Sequence, residues 1–395
     1  MITDEQIEKL LYGYTSRQDE FSLSTMRIIG GRLSKLADFD TLNTLDRIAV
    51  MNSDIKEIQT IHADYKKKQK KHLRDDFWWI AVIIYMESLK FYEEQLELAM
   101  NKALVEAIDE ITKEAQRNLD KLLNNPVFLI RDLKTPAVLK AYSLDKTYVS
   151  VINEAMSYRN LSDDLRDIAL KRTETQLFDS GIRYMIDNSS DNANDAISAN
   201  SAIRMSVLDS AKKLINKMQK IMGKQFGANA VELSAHIYPA PDHAPAQGHQ
   251  FSLDDVEKMQ SGMDFEDLQG NSYTGFERNI GEWNCRHYFM QIKKGAEPQY
   301  TQEQLDKILE DNERGYTDEK GRHRTLYECT QVQRRYEREI RKAKEKYLYG
   351  KALNDKQMMA NARNRVGALT TKYKQFSIKC DIPAKLERIR VKDYK

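Results

Sequence analysis

The chain has 395 residues, a formal net charge of +2 at pH 7, and 41% hydrophobic and 31% charged residues. Its length exceeds the roughly 250–300 residues at which one core stops growing, so several packed units are expected. The longest apolar run, Phe77–Met86, reaches about half of the roughly 20 residues that a membrane helix needs. Three scattered cysteines argue against a disulfide framework. Composition thus excludes membrane-spanning and disulfide-rich secreted proteins, and the predicted fold class is mainly α.

The first predicted unit, residues 1–135, is a long N-terminal helical region. It contains no proline before Pro126, and its apolar residues recur three and four positions apart, as on the buried face of a helix. The pattern predicts one long helix from about Asp76 to about Leu123. Two asparagines end this pattern just before Pro126.

The second predicted unit, residues 136–228, is also helical. Ser162 is a suitable N-cap, and the spacing predicts a helix that carries Leu165, Ile168 and Ala169 inward. A polar stretch and another amphipathic helix follow. We read this unit as packing rather than as a site.

The third predicted unit, residues 229–321, is a small α+β module with irregular loops. Apolar and polar residues alternate after residue 229, and Asn284–Ile292 is compatible with a strand. The segment Ser234–Ser252 holds three of the seven histidines and three of the seven prolines. Such a segment suits either a metal or acid-base site or a rigid structural loop.

The module contains five candidate metal ligands, namely His236, His243, His249, Cys285 and His287. Zinc sites normally show two close Cys or His pairs, whereas here a single pair, Cys285 and His287, is close in sequence. We therefore predict no metal site and no cofactor. We expect His236 and His243 to form hydrogen bonds and to meet the 284–287 segment, while Gly248 allows a tight turn before Phe251 enters the module core.

A metal-dependent or cysteine-dependent enzyme in residues 229–298 is an alternative. Cys285 would need a nearby histidine as base and Asp242 or Asn284 as the orienting group. The sequence contains no GxxxxGK[ST], GxGxxG, HExxH or GxSxG motif. We accordingly predict no catalytic residue and no enzymatic activity.

The fourth predicted unit, residues 322–395, is a basic antiparallel helical hairpin. It carries 21 Lys and Arg residues against 8 Asp and Glu residues, or +13. Apolar stripes through Ile340 and Val366 predict two packed helices. The basic residues predicted on the outer faces are Arg334, Arg335, Arg338, Arg341, Lys342, Arg363, Arg365, Lys372 and Lys374. Such a face suits a nucleic-acid backbone or an acidic partner, although a soluble hairpin without a ligand explains it equally well.

Several motifs occur in a fixed order: DSGIRYMIDN, then ANSAIRMSVLDSAKKLINKMQKIMGKQFGANAVELSAHIYPAPDHAPAQGHQFS, then FEDLQG, then IGEWNCRHYFMQIKKGAEPQYTQEQL. In order and spacing they resemble the phage minor capsid protein 2 family, and more loosely the head-morphogenesis proteins of the Mu F and SPP1 type. His287 departs from the Mu-type relatives, which tend to carry a second cysteine there. The residues that carry the resemblance, with structural roles expected, include Arg204, Ser234, His236, Asp242, His243, Gly248, Phe251, Asn284, Cys285, Arg286 and His287.

The resemblance implies a structural protein of a tailed phage head, made in the host bacterial cytoplasm and placed inside the virion head near the portal. Its implied partners are the portal protein, the major capsid protein or both, with packaged double-stranded DNA as a further partner and oligomers in the virion. It implies action in head assembly and in genome packaging or ejection, and no catalytic mechanism. A DNA-binding protein that acts through the basic hairpin is the second alternative.

Overall fold

A computed structural model describes residues 4–91, 102–131, 139–185, 196–275, 279–281, 285 and 287–394. The helices are α1 Asp4–Ser34, α2 Leu36–Thr41, α3 Thr44–Phe91, α4 Lys102–Leu123, α5 Leu144–Ser157, α6 Asp163–Ser180, α7 Ala199–Gln225, α8 Leu253–Ser261, α9 Gln302–Arg314, α10 Leu326–Leu353 and α11 Lys356–Lys379. The strands are β1 Pro126–Arg131, β2 Leu139–Ser143, β3 Arg183–Met185, β4 Ala196–Ser198, β5 Ala230–Leu233, β6 Gln250–Ser252, β7 Phe265–Glu266, β8 Ser272–Tyr273, β9 Phe289–Ile292, β10 Tyr316–Thr317 and β11 His323–Arg324. The fold is mainly helical, as predicted.

The main core lies between α1, α3, α4 and α7, which pack against one another. Each contributes an apolar face, and α4 shows the predicted spacing with Leu104, Ile108, Ile111, Ala115 and Leu119 all buried. None of the helices in the described ranges combines the length and the apolar composition needed to cross a bilayer. The hydrophobic pattern of the first unit therefore reports packing between helices.

The long helix predicted from Asp76 begins earlier than expected. Helix α3 starts at Thr44 and continues through residue 76 without interruption, so the predicted start was wrong. The Asp76 carboxylate accepts a hydrogen bond of 2.7 Å from the Tyr14 hydroxyl, which ties α3 to α1. The predicted passage through residues 92–101 lies outside the described residues, and α4 ends at Leu123 as predicted.

The central region contains a sheet that the sequence did not predict. Four antiparallel strands lie in the order β2-β1-β3-β4, and Val127 pairs with Ser143 on one side of β1. On the other side of β1, Pro126 pairs with Tyr184 of β3. These strands have three to six residues, too few for alternation to stand out from a helical background.

Helix α6 begins after the predicted N-cap, Ser162, but its orientation differs from the prediction. Leu165 and Ile168, which we expected to face inward, are 54% and 66% exposed. The helix buries Thr173 and Leu177 instead. Its C-terminal half packs on the body while its N-terminal half projects, so the inward assignment was wrong for Leu165 and Ile168, whereas Ala169 is half-buried.

The predicted small α+β module is confirmed around a three-stranded antiparallel sheet in the order β6-β5-β9. Ala230 of β5 pairs with Ser252 on one side and with Ile292 on the other. A separate hydrophobic cluster covers this sheet, and the fully buried Phe251 packs edge-on against Phe265 and Tyr273, which stack on each other. The module therefore has its own core beside the helical body.

The predicted C-terminal hairpin is also confirmed. Helices α10 and α11 run antiparallel, since Gln333 contacts Ser377 near one end and Arg365 contacts Glu339 nearer the turn. Asn354 ends α10 in the left-handed conformation (φ 58°), and the side chain of Asp355 caps α11. The predicted apolar stripes meet in a core that contains Ile340, Ala343, Val366 and Tyr373.

Candidate functional site

The motif segment, Ser234–Ser252, follows β5 directly, forms a loop that we name the motif loop, and ends in β6. Gly248 takes φ +77°, and its N–H donates a 2.8 Å hydrogen bond to the Leu233 carbonyl, which closes the loop. A Cβ at position 248 would lie 2.4 Å from Cδ2 of Leu305, so space as well as backbone conformation requires glycine. Phe251 then pairs with Val231 and enters the module core, where the sequence placed it.

Ser234 fastens this loop to the segment that precedes β9. Its N–H donates to the Tyr288 carbonyl at 3.1 Å, and its hydroxyl accepts from the Tyr288 N–H at 3.0 Å. The backbone beside His287 is thereby fixed against the backbone beside His236. The two motif segments, which lie about 50 residues apart in sequence, become neighbours in space.

Three buried side chains meet at this junction. The Cys285 Sγ lies 3.5 Å from Nδ1 of His243 and 3.3 Å from Nδ1 of His287. The three residues are 7%, 2% and 1% exposed, respectively. We name His243, Cys285 and His287 the His-Cys cluster.

The outer nitrogens of both histidines face oxygen atoms. Nε2 of His243 lies 3.5 Å from Oδ2 of Asp242, and Nε2 of His287 lies 3.4 Å from Oε1 of Gln247. Gln247 Oε1 also accepts from the backbone N–H of His236 at 3.2 Å. The sequence had not singled out Gln247, although its position directly before Gly248 in the motif was a signal that could have found it.

His236, whose side chain is partly exposed, also contacts the His-Cys cluster. Its ring centroid lies 4.4 Å from that of His287, and its Nδ1 lies 3.0 Å from the Ile237 carbonyl oxygen. His243 and His236 therefore both contact the 285–287 segment, as the sequence predicted. Asn284 and Arg286 lie outside the described residues. His249 contacts the Asp267 carboxylate at 3.0 Å, away from the cluster.

The electrostatics of the cluster favour a thiolate. Burial by itself raises the pKa of Cys285, but hydrogen bonds from His243 and His287 and electrostatic interactions with His287 and Lys212 outweigh it. The result is a pKa of about 4 for the thiol. A buried thiolate between two imidazoles can bind a metal, or act as a nucleophile if a substrate reaches it.

A cleft of about 740 Å³ lies beside the cluster. It is lined by the motif residues Arg204, Ser234 and His236 on one wall and by hairpin residues on another, but not by the His-Cys cluster. Its wall contains as many acidic as basic side chains, so it offers no net charge to an anion. The hairpin residues that line it include Arg334, Arg338, Arg341 and Lys342.

Ion pairs across this cleft join the hairpin to α1. Both nitrogen-oxygen contacts between Arg341 Nη2 and the Asp19 carboxylate are short, at 2.7 and 2.9 Å, and both side chains are largely buried. Lys342 donates a 2.9 Å hydrogen bond to the Asp179 carbonyl. Arg341 and Lys342, which we predicted on the outer faces, thus form contacts within the chain and are not among the exposed basic residues.

Arg204 enters a second ion-pair group. It donates to Glu8 at 2.9 Å, and Arg388 donates to the same Glu8 oxygen. Burial raises the pKa of Glu8, but the charges and hydrogen bonds of the two arginines outweigh it and hold the pKa below its ordinary value. The expected structural role of Arg204 therefore has a physical basis in the contact between α7, α1 and the C-terminal segment.

Of the nine basic residues predicted on the outer faces of the hairpin, most of the exposed ones lie on α11. This helix contains six Lys or Arg residues and no Asp or Glu, and its buried residues form a single stripe against α10. Arg334 is half-buried, while Arg335 and Arg338 are exposed on α10. We name four exposed residues that flank the buried stripe the α11 basic surface: Arg363, Arg365, Lys372 and Lys374.

Comparison with known proteins agrees with these features. The model of the family described as phage minor capsid protein 2 matches residues 39–377, which is most of the chain. No curated protein and no solved structure gives a significant match. The match includes the motif loop, the His-Cys cluster and nearly all of the hairpin. This chain therefore belongs to the phage minor capsid protein 2 family, whose members are generally structural proteins of the virion.

Proposed function

We propose that this capsid protein lies inside the phage head near the portal vertex and acts in head assembly and in genome packaging or ejection. Its partners in this proposal are the portal protein, the major capsid protein or both. The observation that carries the proposal is the exposed α11 basic surface, on a helix without Asp or Glu, in a member of a capsid family. No step of this role requires catalysis by the chain.

The hairpin is suited to present that surface rigidly. Ion pairs of Arg341 with Asp19 and of Arg388 with Glu8 hold α10 and the C-terminal segment on α1. The described contacts of α11 are mainly with α10, so most of its circumference faces solvent. A fixed helix with a basic exterior can receive either packaged DNA or an acidic protein surface.

Particle analysis tests the proposal. We would replace Arg363, Arg365, Lys372 and Lys374 by glutamine and measure the chain content and DNA content of purified heads. We expect the variant to reduce the fraction of DNA-filled heads. The matched control replaces four exposed lysines of the helical body, Lys67, Lys71, Lys113 and Lys121, and should leave that fraction unchanged. Absence of the wild-type chain from both mature heads and assembly precursors would contradict a head role altogether.

DNA binding through the hairpin is a second candidate function, favoured by the absence of acidic residues in α11. A phosphate contact makes affinity salt-dependent, with a slope of about 0.9 in log-log terms for each neutralised phosphate. We expect the α11 glutamine variant to lower the slope by about that amount per lost contact. An unchanged slope would assign the α11 basic surface to protein docking.

A further inference from the structure

We propose that His243, Cys285 and His287 bind one zinc-class divalent metal ion, which fastens the motif loop to the segment before β9. This inference goes beyond the head role and departs from the sequence expectation of no metal site. It stands on the geometry of three buried side chains: Cys285 belongs to the module core, and two imidazoles direct nitrogen atoms at its sulfur. It concerns the fold of the module and not a reaction.

The two sulfur–nitrogen distances of the cluster fit a single ion. The three ligand atoms all lie within 4.8 Å of one another. In a tetrahedral zinc site, with Zn–S about 2.3 Å and Zn–N about 2.0–2.1 Å, sulfur and nitrogen ligands lie about 3.5–3.6 Å apart. The Cys285 Sγ lies 3.5 Å and 3.3 Å from the two Nδ1 atoms. The imidazoles therefore approach the sulfur as closely as metal ligands do.

The outer contacts of the two histidines support the same assignment. A histidine that binds a metal through one ring nitrogen usually donates the other N–H to a carboxylate or carbonyl oxygen. His243 presents Nε2 to the Asp242 carboxylate at 3.5 Å, and His287 presents Nε2 to the Gln247 amide oxygen at 3.4 Å. Both rings thus direct Nδ1 towards the same sulfur while an oxygen acceptor lies behind each one.

The chemistry of the donors selects the class of ion. Thiolate and imidazole ligands favour zinc and related transition metals, whereas magnesium and calcium prefer oxygen ligands. Three protein ligands leave one tetrahedral position for water or for a side chain that moves in. The ring of His236 lies 4.4 Å from that of His287 and is tilted by 38° relative to it.

An alternative is that Cys285 acts as a nucleophile, with His243 as base and Asp242 as orienting group. A nucleophile must reach its substrate, yet Cys285 is 7% exposed and the neighbouring cleft is not lined by the cluster. A bound metal ion requires no path by which a substrate could reach Cys285. It also gives the module, whose sheet strands have three or four residues, a cross-link between segments 42 residues apart.

Metal analysis of the full-length chain tests the proposal. The protein would be purified without chelators after growth in zinc-supplemented medium, and its zinc content measured by mass spectrometry. We expect one zinc ion per chain, with loss of that ion in Cys285→Ala and in His243→Ala. Cys329→Ala, which changes a buried cysteine outside the cluster, is the matched control and should keep the ion. Wild-type protein without zinc, or cluster variants that retain it, would overturn the proposal.

Cobalt(II) provides a second measurement that does not depend on a variant that folds. Chelator-treated wild-type chain titrated with cobalt(II) should develop thiolate-to-metal charge-transfer absorption, and zinc should displace it. If Cys285→Ala does not fold, Asp242→Asn and Gln247→Ala replace it, and each should weaken zinc binding by about 10–100-fold. Absence of the cobalt band, or unchanged zinc affinity in both outer variants, would count against the site.

Discussion

The motif module and the C-terminal hairpin solve the same problem, the joining of distant segments, in different ways. The hairpin uses two long helices, a short turn and buried side chains that recur along the facing sides of both helices. The module uses strands of two to four residues, and side chains such as Ser234, Phe251 and Cys285 hold its loops. Where backbone ladders are short, individual side chains fix the geometry. Single substitutions should therefore cost more in the module than in the hairpin.

The largest expected effect is that of Phe251→Ala. The ring is fully buried against Phe265 and Tyr273, and a truncation of this kind costs about 3–5 kcal/mol in the free energy of unfolding. Phe376→Ala in the hairpin is the matched change, and we expect a smaller cost because that ring is half-buried. Hydrogen exchange of β5 and β9, compared with that of α10, would measure the local effect. Equal costs at the two positions would remove the distinction between the regions.

A smaller effect is expected where the hairpin segment meets α1. Glu8→Gln removes the carboxylate that pairs with Arg204 and Arg388, and the lost charge-assisted hydrogen bonds correspond to about 1.5–3 kcal/mol. Thermal unfolding at neutral pH would measure it. Glu303→Gln on α9, an exposed glutamate, is the control and should have little effect.

The same substitution predicts a pH dependence with a definite sign. Because the folded-state pKa of Glu8 lies below its ordinary value of 4.5, its contribution is complete above that pH. The contribution is lost as the pH falls through the folded-state pKa. The stability difference between wild type and Glu8→Gln should thus narrow at acidic pH. A difference that stays constant from neutral pH to below pH 4 would contradict the ion-pair assignment.

The smallest effect is expected at the hairpin turn. Asn354 has φ 58°, and a left-handed conformation costs an ordinary side chain about 1–2 kcal/mol. Asn354→Ala should lower stability by about that amount, whereas Asn354→Gly should be nearly neutral. Thermal unfolding of the two variants side by side would measure the difference. A destabilising glycine would mean that the Asn354 side chain itself supports the turn.

The two regions also differ in how far the sequence predicted them. The hairpin could be predicted from the three- and four-residue spacing of apolar residues through Ile340 and Val366, because its contacts repeat along one face of each helix. The same spacing gave a wrong prediction at Leu165 and Ile168, since periodic apolar residues show that a helix can pack but not how much of its length is buried. It also gave α3 the wrong start, since the helix begins at Thr44 and not near Asp76.

The His-Cys cluster could not be predicted from spacing. Cys285 and His287 are neighbours in sequence, but His243 joins them after a loop closed by Gly248 and fastened by Ser234. Each of these contacts depends on tertiary geometry that a local ligand pattern does not contain. The residues were identified correctly as a motif, whereas their juxtaposition came from the fold.

The contact of Glu8 with Arg388 has a consequence for the order of events during synthesis. The two residues are separated by 380 positions, and Asp19 and Arg341 by 322. The two long-range pairs can form only after Arg341 and Arg388 have been synthesised, whereas the contacts of Glu8 with Arg204 and of Asp19 with Asn200 can form earlier. A chain terminated before residue 341 would therefore keep these earlier contacts of the α1 carboxylates and lack the two that hold the hairpin and the C-terminal segment on α1.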